Sequence, residues 1–353
     1  MSRFPVSPQS LLDADALDED WGSDAAVVSE PPQAATREGV VAAAQQGQRL
    51  DAWLVSLAGE FSRSHLKSLI DAGCVRVDGK LADSASRKVS AGQRVCVELR
   101  PTAQSQAFVA EPMALPIVFE DEHLLVIDKA AGMVVHPAAG HWSGTLMNGL
   151  LAHHAGAVNL PRAGIVHRLD KDTSGLMVVG KTLEAVTALS RAIADRVVKR
   201  QYVALVHGAV ADAFTVEASI GRDPASRVKM AVLASGKPAR TDVRCLGRVV
   251  LDEDHPQGPI RRPFSAVECT LHTGRTHQIR VHMASRKHPL VADALYGGAP
   301  ALGLTRQALH AYRLAFDHPL SGAALQFESS LPEDLAQAWG RLQIVQQKSA
   351  TGA

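Results

Sequence analysis

The chain has 353 residues, of which 46% are hydrophobic and 21% charged, with a formal net charge of +1. Such a length suggests two or three domains, and the apolar content suffices for a sizeable core, which argues against a globally disordered chain. No run approaches 18 consecutive apolar residues, which speaks against a transmembrane helix, and Met1–Ser10 lacks the basic start and apolar run of a signal peptide.

The near-zero charge conceals an asymmetry. Residues 1–46 hold eight acidic residues against Arg3 and Arg37, a net of −6, so the whole-chain +1 leaves residues 47–353 at about +7. A basic body suits a polyanionic partner. Residues 1–46 are rich in Pro, Ala, Ser and Gln with little periodicity, and read as a disordered acidic tail. Cys74, Cys96, Cys245 and Cys269 are scattered without a Cys-x-x-Cys pair, as expected of reduced thiols in a cytoplasmic protein.

From Gln48 the pattern becomes regular. Arg49 to Leu57 has helical spacing, and Ser62 is placed to cap a second helix over Arg63 to Ile70. Gly73 ends that helix, Val75-Arg76-Val77 reads as a strand entering an Asp78-Gly79 turn, and Arg94 to Leu99 alternates like another strand. Arg63 and Lys67, at i and i+4, share one helix face where they could meet phosphates, although a merely solvated face has the same pattern.

Pro101 to Pro112 is a polar connector, which places a domain boundary near residue 103. Beyond it, apolar segments at Ile117–Phe119, Leu124–Ile127 and Gly175–Val179 read as strands, and Leu183 to Ile193 as an amphipathic helix. Strands and helices intermix without a regular parallel repeat, so the expected class is α+β with a mixed, mostly antiparallel sheet. Asp252 to Pro263 reads as an exposed loop between strands Val243–Val250 and Phe264–Thr270. The expected organisation is thus a tail over 1–46, a small domain over 47–103, a large one over 104–345, and a disordered end over 346–353.

The segment Gly164-Ile165-Val166-His167-Arg168-Leu169-Asp170-Lys171-Asp172-Thr173-Ser174-Gly175-Leu176 holds Asp170 in a polar loop just ahead of an apolar strand. A carboxylate at a strand entrance can project into a cleft. It can equally cap a turn, and spacing alone leaves both readings open. His272, His277 and His282 recur every five residues, an interval that sends side chains to opposite faces of a strand and well apart on a helix. No metal-binding motif, phosphate loop or Gly-x-Gly-x-x-Gly turn is present. Neither a metal nor an organic cofactor is expected.

The stretch His167 to Leu176 resembles the signature of the ribosomal large-subunit pseudouridine synthase family. Three more segments agree in order. Val126 to Pro137 resembles its first motif, Arg200-Gln201-Tyr202-Val203 its tyrosine-bearing strand, and Leu271 to Ala284 its third motif. Residues 47–103 resemble the alpha-L RNA-binding domain, and the overall order is closest to the D branch of the family. The resemblance implies a cofactor-free isomerase acting as a cytoplasmic monomer on 23S-type large-subunit ribosomal RNA or a pre-ribosomal particle, with no membrane partner. It implies Asp170 as the catalytic carboxylate, Arg275 as its ion-pair partner, and Tyr202 stacked on the target base. Arg168 would fill the position that the flipped base vacates, while His167, Lys129, Arg63 and Lys67 are further candidate substrate-binding residues. Lys129-Ala130 stands where the family's first motif reads Lys-Pro, which puts the local loop geometry in question. A transfer RNA substrate and a non-catalytic RNA-binding role remain the alternatives.

Overall fold

The computed structural model describes residues 35–100, 107–138, 140–226, 228–253 and 260–350. They form two compact units: the first takes the described residues up to Val109 together with Pro137–Ser143, and the second takes the rest.

The first unit contains β1 (Ala35–Val40), α1 (Leu50–Leu57), α2 (Arg63–Asp71), β2 (Val75–Val77), β3 (Lys80–Leu81) and β4 (Arg94–Leu99). Its antiparallel sheet has the order β1-β4-β2-β3. Ser62 caps α2 as its sequence indicates, its hydroxyl accepting from the His65 N–H at 3.2 Å. Asp78 and Gly79 both adopt positive φ, 48° and 77°, as a two-residue hairpin turn requires. Leu50, Trp53, Leu54, Leu66, Ile70, Val75, Val95 and Val97 form one core.

The expected tail is too long by a strand. Ala35–Val40 pairs with β4 at six successive positions, from Ala35↔Leu99 to Val40↔Arg94. Five of its six residues are exposed, so β1 is held by backbone pairing and shows no apolar alternation to betray it. Residues 1–34, the rest of that tail, lie outside the described residues, as does the expected boundary at 103.

In the second unit the chain runs through β5 (Ile117–Glu120), β6 (Leu124–Lys129), α3 (Leu146–His153), β7 (Ser174–Gly180), α4 (Leu183–Ala194) and β8 (Lys199–His207). It continues through β9 (Ala213–Glu217), β10 (Ile220–Arg222), β11 (Met230–Val232), β12 (Arg240–Glu253), β13 (Ile260–Leu271) and α5 (Gln278–Ser285). It closes with β14 (Leu309–Asp317), β15 (Ala324–Glu328) and α6 (Glu333–Ala350). A nine-stranded sheet has the order β5-β6-β7-β14-β8-β13-β12-β9, with β15 also paired to β14. Among the described residues only β7 and β14 run parallel, through His310↔Ser174 and Ala311↔Gly175. The class is therefore α+β with a mixed, mostly antiparallel sheet, as expected. One apolar cluster joins Leu124, Val126, Leu176 and Val178 to Val186 and Leu189 of α4. Another joins Leu205, Phe264 and Ala308 to Leu335, Ala338 and Leu342, an i, i+3, i+7 stripe on α6.

Two further expectations are corrected. The long hairpin β12–β13 stays paired out to Glu253↔Ile260, so both ends of the expected loop, residues 252–253 and 260–263, are strand; residues 254–259 lie outside the described residues. Pro263 misled because it sits just beyond the last residue of β13 paired to β8, Phe264, where a strand tolerates a missing N–H. At the C-terminus α6 continues to Ala350, past the point where disorder was expected, and residues 351–353 lie outside the described residues.

Candidate active site

Asp170 lies in the turn leading into β7, where the Thr173 N–H donates to the Asp170 carbonyl at 3.1 Å. Every residue of β7 is buried, so the turn is anchored to a strand covered on both faces. Its entry needs glycine: Gly175 has φ +116°, and a Cβ there would stand 2.3 Å from the Ala311 carbonyl oxygen on β14. The turn opens on a cleft of about 260 Å³ lined by Arg168, Asp170, Arg200, Tyr202, Arg275, His277 and Arg280, among others.

The cation on Asp170 is Arg280. Its Nη1 donates to Asp170 Oδ2 at 3.0 Å, while Nε and Nη2 donate to the two oxygens of Asp293 at 2.8 Å each. Burial works against the Arg280 charge, but the hydrogen bonds and charge of Asp293, with the charge of Asp170, raise its pKa above the ordinary value. Arg280 also stacks on the Tyr296 ring, its guanidinium carbon 5.0 Å from the ring centre. The expected partner was Arg275. Arg275 lines the same cleft but belongs to the turn before α5, with its Nε directed to the Pro238 carbonyl at 3.3 Å. α5 begins at Gln278, so Arg280 leaves the rigid first turn of a helix, whereas Arg275 is held by its backbone N–H on Gln278 Oε1 at 3.0 Å.

Gln278 locks this turn. It is buried; its Oε1 also accepts from Thr273 Oγ1 at 2.7 Å, and its Nε2 donates to the Arg240 carbonyl and Thr241 Oγ1. His277 precedes it in a left-handed conformation, φ 56°. The Tyr296 hydroxyl accepts from the Met230 N–H at 3.0 Å and shares a hydrogen bond with His277 Nδ1 at 2.7 Å. The other ring nitrogen, Nε2, faces Asp170 Oδ1 at 3.8 Å. Burial keeps the His277 pKa below its ordinary 6.5 despite the charge of Asp170.

Tyr202, on β8, is 5% exposed, and its hydroxyl has no partner among the described residues. Burial pushes its pKa up to about 12, helped by Asp170 and opposed by Arg200. Arg168 is exposed and lines the cleft.

Two of the expected binding residues, Lys129 and His167, hold hydrogen bonds within the fold. Lys129 is fully buried, and Nζ spends its three donors on the carbonyls of Ala130, Met133 and Lys171 at 2.9, 3.0 and 3.0 Å. It ties the turn after β6 to the Asp170 loop and has no donor left for a ligand. The turn whose geometry Ala130 put in question is held by this ammonium. His167 is 6% exposed, and its Nε2 accepts from the Val178 N–H at 3.1 Å, which binds the loop to β7. Burial, with the charge of Arg200, pushes its pKa down to about 3.

In the first unit, Arg63 and Lys67 project from α2 and are half-exposed, as expected. Each pairs with its own unit: Arg63 Nη2 with buried Asp51 at 3.1 Å, and Lys67 Nζ with Asp71 at 2.7 Å. The three histidines spaced by five diverge: His272 goes to Asp242, His277 to Tyr296, and His282 to Thr241 and the Ala218 carbonyl. Among the described residues no group of three or more His, Cys, Asp or Glu is arranged to hold a metal ion, and no helix is long and apolar enough to cross a membrane.

The residues that sequence reasoning missed are Arg280, Asp293, His277, Tyr296, Gln278 and Arg200. One usable signal was Asp293, a lone acid in the apolar run Leu290-Val291-Ala292, which burial would leave in need of a cation.

Residues 123–285 match the RNA pseudouridylate synthase family, and residues 48–95 match the S4 domain. The chain is 49% identical over 302 residues to the ribosomal large subunit pseudouridine synthase D of Neisseria meningitidis serogroup B, covering 82% of this chain and 77% of that one. It is 46% identical over 298 residues to the protein of the same name from Nitrosomonas europaea, covering 82% and 83%. Among solved structures it is similar to human RNA pseudouridylate synthase domain containing 1, with 27% identity and a TM-score of 0.48 over 63% of this chain and 86% of that one.

Proposed function

The chain belongs to the RNA pseudouridylate synthase family, whose members are isomerases, and on that premise we propose that it converts uridine to pseudouridine in large-subunit ribosomal RNA, with Asp170 as the reacting carboxylate. The reaction breaks the N1–C1′ bond, turns the uracil and forms a C5–C1′ bond; C5 then loses a proton and N1 gains one. A carboxylate beside the sugar can attack C1′ or take a proton from C2′, and both roles need it ionised and aimed. The observation that carries the reading is the Arg280 clamp: a cation fixed by Asp293 presents a single nitrogen to Asp170 at the edge of the cleft.

Tyr202 suits the face of the base. With a pKa of about 12 it is a neutral phenol at working pH, which favours stacking and hydrogen bonding over phenolate chemistry. To reach Asp170 the uridine must leave its stack, and exposed Arg168 at the cleft is positioned to fill the gap. The cleft must also shed water, since water captured at C1′ would release the base. Arg63 and Lys67 add phosphate contacts from the S4 domain, and the exposed Lys67–Asp71 pair is weak enough to exchange. The names of the relatives support the ribosomal substrate.

The test is pseudouridine mapping of ribosomal and transfer RNA from cells with and without this protein. Loss of specific large-subunit sites is expected. Loss confined to transfer RNA, or no loss at all, would overturn the substrate assignment.

A further inference from the structure

Arg200 has no part in the scheme above, yet its surroundings are unusual for a cation. It is 6% exposed and lines the same cleft as Asp170 and Tyr202. No carboxylate pairs with it, and none of its guanidinium nitrogens has a hydrogen-bond partner among the described residues; Nε is buried outright without one. A buried guanidinium left so is costly, and native proteins keep such a group where a ligand completes it. Burial pulls its pKa below the ordinary arginine value, as expected of a cation whose countercharge lies outside the protein.

Its direction is fixed by two features. Arg200 and Tyr202 are two residues apart on β8, so they leave the same face of the strand. Gly274, in the turn before α5, makes room for its tip: a Cβ there would stand 2.7 Å from Nη1. The guanidinium therefore lies beside Tyr202, between β8 and the turn that carries Arg275.

We propose that the Arg200 guanidinium binds the carbonyl oxygens of the target uracil and stabilises the negative charge that collects on them when the N1–C1′ bond breaks. This rests on the pseudouridine synthase reading. When that bond breaks heterolytically, the electron pair leaves with the uracil and spreads over N1, O2 and O4. Arg200 donates hydrogen bonds to that anion and keeps its own protons. Formation of C5–C1′ removes the charge, after which C5 loses its proton and N1 gains one. A donor already fixed in a dry site contributes more as charge develops than in the ground state. Uracil fits better than a backbone phosphate, because a phosphate remains tethered to sugars on both sides and would have to enter the buried end of the cleft with them.

Two measurements test this on the full-length protein. In the first, ¹⁵N-arginine spectra are recorded while uridine, ribose 5-phosphate or inorganic phosphate is added, with Arg200→Lys used to assign the Arg200 signal. The Arg200 signal should move with uridine and stay still with both phosphates. Movement with the phosphates alone, or with none of the three, overturns the assignment. This readout needs no turnover, so it stands even if the protein proves not to form pseudouridine, an outcome that would sink the functional reading instead. The second is single-turnover pseudouridine formation on large-subunit ribosomal RNA. Arg200→Met should lower the rate by about 100-fold or more with RNA affinity nearly unchanged, and Arg200→Lys, which keeps a cation, should lose less. An Arg200→Met protein that melts like the wild type and reacts at the wild-type rate overturns the proposal.

Discussion

Asp293 occupies two of the donor positions of Arg280, at 2.8 Å each, and so leaves Nη1 alone to meet Asp170 at 3.0 Å. The three groups carry one positive and two negative charges within hydrogen-bond reach. Asp293, 1% exposed at its side chain, thereby sets the direction from which the cation approaches the proposed reacting carboxylate.

This arrangement separates the two arginines of the Gly274-Arg275-Thr276-His277-Gln278-Ile279-Arg280 stretch. Arg280→Lys keeps the charge but cannot form the fork, so kcat should fall steeply. Asp293→Ala should cost about 3–5 kcal/mol in urea unfolding, because it removes two of the three carboxylate bonds that hold a buried cation. Arg275→Met should raise KM and leave kcat nearly intact. If Arg275→Met abolishes turnover while Arg280→Lys does not, the clamp has been assigned to the wrong residue.

Lys129→Met should destabilise the second unit without changing RNA affinity. The substitution keeps the volume but leaves three part-buried carbonyls without this donor, at about 1–3 kcal/mol for each that stays unsatisfied. Urea unfolding and RNA binding distinguish the two roles. Normal stability with weakened binding would restore Lys129 as a ligand contact.

Stability should fall with acid because of His136 and His167, whose pKa values are pushed down to about 3 from an ordinary 6.5, chiefly by burial. Between those two values the unfolded chain holds the protons and the folded chain does not. Stability therefore rises with pH through that window, and is lost as pH falls below 6.5 at about 1.4 kcal/mol per pH unit for each group. His167→Gln, which can still accept from the Val178 N–H, should flatten the slope of unfolding free energy between pH 6 and 4. An unchanged slope would mean that His167 is not held neutral by the fold.

Replacing Arg63 and Lys67 together by Met should weaken RNA binding at low salt and reduce the magnitude of the log affinity against log salt slope by about 2. Asp51 keeps its bond to Arg49 in this variant, so the S4 domain retains its fold. An unaltered salt slope would exclude this helix face from RNA contact.

The parts of this molecule legible in its sequence are those with local causes. Ser62 capping α2, the Asp78-Gly79 turn and the stripe on α4 follow from residue type and spacing. The loop holding Asp170 was legible as a loop, and its chemistry only through the family motif. Long-range choices were not legible. Arg275 and Arg280 stand five residues apart in one motif, and which of them reaches Asp170 depends on where α5 begins and where Asp293 returns from a separate loop. Lys129 read as a basic group for RNA because nothing local reveals that three carbonyls from two turns converge on it. β1 has no apolar alternation, since its stability comes from the edge of β4.

The most direct test of the catalytic assignment is pseudouridine formation by Asp170→Asn on large-subunit ribosomal RNA, with deamidation excluded by mass spectrometry. The substitution keeps the side-chain shape and leaves Arg280 balanced by Asp293, so the protein should fold and bind RNA like the wild type. Turnover should vanish, because an amide can neither attack C1′ nor take a proton from C2′. Pseudouridine produced by the intact Asp170→Asn protein would contradict the assignment.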